Sequence, residues 1–378
     1  MIRPFPEPIY VTRPLLPPVA AVAARLEQIW STQWLTNAGA QHDELEAALR
    51  RYLQVTQLSL FNNGTIALLC AIRALELTGE VITTPFTFPA TPHALSWSGI
   101  TPVFADIDPN RLTLDPLKVE ERITSKTSAI LAVHVYGVPC DVEALASIAS
   151  RHGLRLLYDG AHAFGVRIGG AGIGTWGDAT MFSFHATKLF HTGEGGAIAS
   201  NSAELRHRID RLKNFGIADQ ETVECVGING KMSELQAALG LAVLEHMTAE
   251  TNRRRAILNL YAHRLAAIPG ITLMPELPGV ESSCQYCAVR IDPSLFGASR
   301  DDVHQTLKTF NVFARKYFYP LCSDYPSYRT LPSASPDCLP VARTAVSQVL
   351  CLPLYGTLDD ETVHGICDIV QSVALQGT

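Results

Sequence analysis

After a proline-rich start, the apolar and polar positions of the chain fall into two periods. Apolar residues return every three or four positions over 19–30 and 43–53 (DELEAALRRYL), and again over 65–78, 90–98, 116–123 and 141–151, which predicts helices. Between them lie short apolar runs at 57–61, 80–84, 102–105, 128–133 and 154–158, with two more at 179–184 and 196–200. Runs that are apolar on both faces predict fully buried strands. Their alternation with helices predicts a mostly parallel sheet covered on both sides. Such a sheet gathers its ligand at the carboxyl ends of its strands.

A long helix is predicted from Met232 to beyond residue 260, because nothing breaks the pattern before Pro269. The remainder reads as α+β: strand-like 285–291, a helix over 300–309, strand-like 311–315, a loop rich in Tyr and Pro over 317–336, strand-like 348–352 and a last helix over 359–374. This divides the chain near residue 250. The expected units are a large domain, 1–250, and a small C-terminal domain, 251–378, onto which the N-terminal segment is a candidate to fold back. The 378 residues agree with about two domains.

Composition narrows the function classes. With 47% apolar and 17% charged residues the chain has material for a core and is not disordered. A net charge of -6 speaks against nucleic acid as a partner. The start, MIRPFPEPIYVTRPLLPP, does not fit a signal peptide, and no apolar run approaches the ~18 residues of a membrane span. A cytoplasmic protein without a membrane partner is expected. The nine cysteines are scattered and odd in number, and the one CxxC, Cys284 and Cys287, has no second pair at zinc spacing. They read as ordinary thiols, and no metal site is expected.

Four segments carry candidate chemistry. Lys188 closes Phe182-Ser183-Phe184-His185-Ala186-Thr187-Lys188, after a strand and before a glycine cluster at 193–196. A desolvated lysine there gains a free amine for Schiff-base formation, although a lone lysine at a strand end is usually solvated. Asp159 ends the strand of Leu156-Leu157-Tyr158-Asp159-Gly160-Ala161-His162, and taken alone reads first as a helix cap, with a metal ligand or a cofactor anchor as alternatives. Asn62-Asn63-Gly64-Thr65 joins a strand to a helix, a place for a phosphate or for an ordinary N-cap by Thr65. Thr84-Pro85-Phe86-Thr87-Phe88 is a second such junction. Phe86 reads as core, and Phe88 as either core or a ring that stacks on a flat ligand. No Walker loop occurs, and the GGAGIG at 169–174 has the wrong spacing for a dinucleotide fingerprint, which removes the nicotinamide dehydrogenase reading.

In this order the segments resemble the DegT/DnrJ/EryC1/StrS sugar aminotransferases along nearly the whole chain, most densely over 29–245. The resemblance implies an α/β protein of the PLP-dependent transferase fold type I, aspartate aminotransferase-like. It would have a mostly parallel seven-stranded sheet between helices and a small α+β C-terminal domain. It implies pyridoxal 5'-phosphate (PLP) as cofactor, with Lys188 as the Schiff-base lysine and later the general base, and Asp159 on the pyridinium nitrogen. It places His162 near the PLP hydroxyl, Gly64, Thr65 and Ser183 at the phosphate, and Phe88 on the ring. Asn229 of VGINGKMSELQAALG matches an asparagine that reaches the phosphate of a neighbouring subunit, so a homodimer with shared active sites is implied. Dehydrases of this group have His at the lysine position. Lys188 therefore favours transamination, and with Asp159 it disfavours a non-catalytic regulator or scaffold. Gly160 departs from the more usual alanine, with no change of chemistry expected.

The segments PLLPP, QWLTNAGAQHDELEAAL, ITTPFTFPATPHAL and YDGAHAFGV are similar to the branch that makes dTDP-4-amino-4,6-dideoxyglucose. That implies L-glutamate as donor and a nucleotide-linked keto-sugar, dTDP-4-keto-6-deoxyglucose, as acceptor. A 3-keto-sugar or a UDP-sugar is the alternative. His185, His191 and the loop over 317–329 with Tyr317 are candidates to line a sugar pocket or merely to pack at the surface. Arg315 and Lys316 are candidates for a pyrophosphate or are simply solvated.

Overall fold

The computed structural model describes residues 2–376. Its centre is a seven-stranded sheet of β1 (Gln57–Phe61), β2 (Glu80–Thr83), β3 (Thr101–Phe104), β4 (Thr127–Val133), β5 (Arg155–Asp159), β6 (Ala179–Ser183) and β7 (Gly196–Ser200). The spatial order is β1-β7-β6-β5-β4-β2-β3. Only β7 runs antiparallel to its neighbours, pairing Gly196 with Phe61 on one side and with Ser183 on the other. All but the edge strand β3, where Thr101 is exposed and Val103 half-buried, bury both faces over most of their length. Leu156 and Tyr158 of β5 enter one core with Leu45, Leu49, Phe182 and Phe184, while Leu157 enters another with Leu68, Leu131 and Ile209. Helices therefore lie on both sides of the sheet, as the apolar runs predict.

The helices α1 (Val19–Thr32), α2 (Ala40–Leu53), α3 (Gly64–Ala74), α4 (Ala90–Trp97), α5 (Pro116–Glu120) and α6 (Val142–His152) fall on the predicted spans to within a few residues. Local chemistry sets several ends. Asp141 accepts the Ala144 N–H at the start of α6, and Gly153 closes it in the left-handed region at φ 64°. The helix α7 (Ala203–Leu212) is not among the predicted elements. Its apolar stripe is only Leu205, Ile209 and Leu212 in a charged segment.

The long helix predicted from Met232 is two helices, α8 (Glu234–Leu244) and α9 (Met247–Leu265). Neither Gly nor Pro marks the break. The His246 N–H bonds to Val243 O at 3.0 Å, a tight i to i−3 turn that redirects the chain. α8 packs Ala237 and Leu241 with the sheet, and α9 passes from that core at Met247, its first residue, to the C-terminal segment at Ile257, Tyr261 and Leu265.

That segment holds β8 (Ile271–Leu273), β9 (Cys287–Ile291), α10 (Arg300–Thr309), α11 (Pro340–Gln348), β10 (Val349–Leu352) and α12 (Asp360–Gln376), with the strands ordered β8-β9-β10. β8 and α11 also escape the pattern. β8 has three residues, and α11 buries mainly small side chains, Ala342 and Ala345. The predicted strand at 311–315 is only Val312–Phe313, paired in parallel with Ile9–Tyr10. A mixed cluster of Phe86, Phe104, Tyr136, Ala288, Phe318 and Ala342 fills the seam between the two cores. No helix among the described residues is long and apolar enough to cross a membrane.

One buried carboxylate ties α2 to α8. Glu234 accepts the N–H groups of Gly39, Gln41 and His42 at 3.1, 2.8 and 3.1 Å, satisfying donors that the start of α2 leaves unpaired. Glu234→Gln turns an amide toward those donors. It is expected to cost about 1–3 kcal/mol, read as a lowered thermal midpoint.

Candidate active site

Because β1, β2, β4, β5 and β6 run in parallel, the turns that follow them open on one edge of the sheet. At the first of these turns the Asn63 side chain accepts the Ile66 N–H at 2.8 Å, and Asn63 O accepts from Ala67. Asn63, not Thr65, is therefore the N-cap of α3. The N–H groups of Gly64 and Thr65 and the exposed Thr65 hydroxyl are left at the helix start. Gly64 faces Ser183 so closely that a Cβ on it would lie 3.1 Å from the Ser183 Cβ. The two segments meet because Gly196 of β7 lets the Gly64 backbone in, where a Cβ would come within 2.8 Å. Asn62 joins the group through Asn229: its side chain donates to Asn229 O at 3.4 Å, and Asn229 itself is exposed.

The second focus is Asp159. It is 4% exposed at the end of β5, and its Oδ1 accepts the Ala161 N–H at 3.0 Å. No helix follows, so the helix-cap reading does not hold. Oδ2 accepts from the Thr91 hydroxyl at 2.8 Å, and Thr91 in turn meets Thr87 at 3.1 Å. Burial raises the Asp159 carboxyl above its usual range, against those two hydrogen bonds and the charge of Lys188. The half-buried Lys188 feels the opposite push: burial takes its amine down to about 8, partly offset by Asp159. Burial also holds His162 well below its ordinary value, and the Lys188 charge acts in the same direction. His162 is thus neutral. The Tyr136 N–H donates to His162 Nδ1 at 3.3 Å, which leaves the proton on Nε2. Phe318 stacks on the imidazole with centroids 5.6 Å apart, and Tyr286 meets it edge-on at 5.1 Å.

The other candidates sort by position. Phe86 is core, whereas Phe88 is 57% exposed at the tip of its turn, so its core reading is excluded. His185 is exposed, bonded to the Thr187 hydroxyl at 2.8 Å and 3.6 Å from Glu194. His191 is neither pocket wall nor surface. It is buried, with Nε2 on Leu15 O at 2.8 Å and Nδ1 accepting the Gly193 N–H, so both ring nitrogens are used inside the protein. Tyr317 packs on Tyr286, and its carbonyl accepts from Tyr136 Oη. Arg315 lies exposed over the Tyr317 ring, and Lys316 pairs with Asp301 at 3.0 Å. Neither contacts Lys188, Asp159 or the Gly64 turn.

The site is therefore an amine and a carboxylate desolvated against each other, beside a neutral imidazole and a helix start with free N–H groups. A match to the model of the DegT/DnrJ/EryC1/StrS aminotransferase family spans residues 19–371. The chain belongs to this family. Among curated relatives, the dTDP-4-amino-4,6-dideoxy-D-glucose transaminase of Escherichia coli is 48% identical over 365 residues, covering 96% of this chain and 98% of that one. The crystal structure of DesI in the presence of its TDP-sugar product has a TM-score of 0.95 at 38% identity, covering 99% and 95% of the two chains. The PLP form of Spr1654 from Streptococcus pneumoniae has a TM-score of 0.90 at 26% identity, covering 98% and 100%.

As a member of the aminotransferase family the chain is an enzyme, and several of its site contacts, among them Thr91, Phe318 and Gln285, are absent from the sequence reading. Thr91 carried a readable signal, since it lies four residues after Thr87 in the first turn of a helix. Phe318 lies in the flagged aromatic loop. Gln285, which bonds the main chain on both sides of Lys188, carried none.

Two outcomes are expected. Acylation of Lys188 by a small anhydride, followed by peptide mass, reaches half its plateau near pH 8. Asp159→Asn moves that midpoint lower, because the carboxylate is what favours the charged amine. Separately, a Cβ on Gly160 would lie 2.9 Å from the Thr180 methyl. Because the same Cβ would also lie 3.0 Å from Met181 O, Gly160→Ala is expected to cost about 1–3 kcal/mol in a thermal melt, and Thr180→Ser to recover only part of it.

Proposed function

We propose that this enzyme is a PLP-dependent aminotransferase that moves an amino group from L-glutamate to C4 of dTDP-4-keto-6-deoxy-D-glucose, giving dTDP-4-amino-4,6-dideoxy-D-glucose. The observation that carries the chemistry is the Lys188 amine, lowered to about 8 beside the buried Asp159. The sugar rests on the 48% identity to the Escherichia coli transaminase.

The residues fit PLP. The Gly64 and Thr65 N–H groups with the Ser183 and Thr65 hydroxyls suit its phosphate. Asp159 is a buried carboxylate whose hydrogen bonds come from neutral donors, so a ring N–H⁺ would supply the missing cation. Phe88 offers an exposed ring, and the neutral His162 an Nε2–H for the cofactor's hydroxyl side. When bound, PLP supplies an aldehyde that condenses with Lys188 and a ring that accepts electrons from the substrate carbon.

The chain's own residues do the rest. Asp159 keeps the ring nitrogen protonated, with Thr91 and Ala161 fixing both its oxygens. With PLP and the amino donor bound, the Lys188 amine, whose burial favours the uncharged form, would take the α-proton of glutamate. With the keto-sugar bound it would deliver a proton to the sugar C4. His185 and Tyr317 remain candidates for the sugar side, and Arg315 and Lys316 for the pyrophosphate.

A homodimer with shared sites is part of this reading, with Asn229 serving the neighbouring subunit's phosphate. Its support is the exposed apolar patch around Asn229: Phe215, Val226, Ile228 and Leu235, with Trp34 and Leu35 beside the start of α8. A cytoplasmic setting is supported by nine free cysteines.

The test is the visible spectrum of purified protein with PLP added. A yellow band is expected, bleached by L-glutamate and restored by dTDP-4-keto-6-deoxyglucose. Bleaching without recovery would discard this sugar, and no band in folded protein would discard Lys188. Lys188→Ala is expected to lower turnover by roughly a thousandfold or more.

A further inference from the structure

Lys188 lies in a stretch without regular structure. After β6 ends at Ser183, the chain over 184–195 makes turns only. Some of its main-chain groups are satisfied within the stretch: Lys188 N–H to His185 O at 2.8 Å, Ala186 N–H to Gly193 O at 2.8 Å, and Thr192 N–H to Phe184 O at 3.0 Å. The two groups that flank Lys188 are satisfied from elsewhere. The Leu189 N–H donates to Gln285 Oε1 at 2.7 Å, and Gln285 Nε2 donates to Thr187 O at 3.4 Å. A single side-chain amide thus spans the lysine, doing for this turn what a paired strand does for a ladder.

Gln285 belongs to the other half of the molecule. It lies just before β9, is 1% exposed, and sits in a four-residue strap that meets the site twice more. Ser283 Oγ donates to His162 O at 3.1 Å, and the Tyr286 ring meets the His162 ring. The strap is anchored from behind. Gln285 O accepts from Arg254 Nη1 at 3.5 Å, and the buried Arg254 pairs with Glu250 at 2.6 Å. Glu250 in turn accepts the Gly356 N–H at 2.9 Å. Arg254 and Glu250 are on α9, past the break from α8, so the chain of contacts runs from the C-terminal core to the main chain at the reacting lysine.

We propose that Gln285 is a positioning residue, whose paired hydrogen bonds to Thr187 and Leu189 set the direction in which the Lys188 side chain leaves the main chain. Through it the Arg254–Glu250 pair holds the amine toward Asp159. This rests on Lys188 being the reacting amine. Asp159 is the charged group that faces that amine, and His162 beside it is neutral. A small displacement therefore changes both the enclosure of the amine and its distance from its one counter-charge. Misplacement of a reacting group by about 1 Å costs up to a hundredfold in rate.

Two variants test it. Gln285→Leu keeps the bulk and removes both hydrogen bonds. Gln285→Glu keeps the acceptor for Leu189 and loses the donor to Thr187. Three quantities are read: the pH midpoint of Lys188 acylation without cofactor, the fraction of Lys188 carrying a pyridoxyl group after PLP and borohydride, and kcat and KM for glutamate. The wild type is expected to show a midpoint near 8 and full labelling. Gln285→Leu is expected to shift the midpoint toward the ordinary lysine range, to slow labelling, and to lower kcat by roughly ten- to a hundredfold with KM within about twofold. Gln285→Glu should fall between in labelling and kcat, while its own carboxylate raises the midpoint whatever the direction of the lysine. If Gln285→Leu does not fold, Gln285→Glu decides by labelling and by kcat against KM. Folded variants with the wild-type midpoint, labelling and kcat would reduce Gln285 to packing and overturn the proposal. A wild type with no pyridoxyl group on Lys188 would overturn the reading of Lys188 itself, and this proposal with it.

Discussion

The rest of the site depends on a carboxylate taken out of water with no fixed cation bonded to it. Asp159 has only a hydroxyl and a backbone N–H for hydrogen-bond partners, and its nearest positive charge is a lysine that burial itself is discharging. Burying an ion that way is unfavourable unless a partner arrives. The protein keeps this arrangement because the parallel sheet fixes it. β5 ends at Asp159, β6 ends five residues before Lys188, and both are locked by cores on the two faces of the sheet. The local cost is carried by the stability of the whole layer.

The two halves of the molecule divide the work. The sheet edge supplies the groups that close its strands: Asp159, Ser183 and the Gly64 turn. The C-terminal half supplies what presses on them from the side, through Phe318 on His162, Ser283 on the His162 carbonyl and Gln285 around Lys188. The break between α8 and α9 belongs to this division. α8 stays on the sheet, and α9, redirected by the tight turn at His246, carries the chain from Met247 in the sheet core to Ile257 and Tyr261 in the C-terminal one.

This division also explains what could be read from the sequence. Strands that are largely buried are nearly continuous apolar runs, so all seven sheet strands were legible, with their carboxyl ends placed to within one residue. Lys188, Asp159 and Gly64 stand at the junctions where periodicity changes, and junctions are what pattern detects. The helix break was not legible, because it rests on a tight main-chain turn at His246 and not on any residue that bends a chain. The capping role was misassigned within one turn, to Thr65 in place of Asn63, because both side chains can accept an N–H and only the φ/ψ of the turn decides. Gln285 was invisible for a different reason. Its meaning lies in a contact across about a hundred residues of chain, and an isolated glutamine before a strand has no local signature.

The Asn63 cap has a consequence for binding. Its side chain and carbonyl hold the Ile66 and Ala67 N–H groups within the protein itself, so the turn takes its shape from its own bonds and from the glycines that face it. An incoming anion meets donors that are already aligned. An anion docking there would lose little conformational entropy from the turn itself.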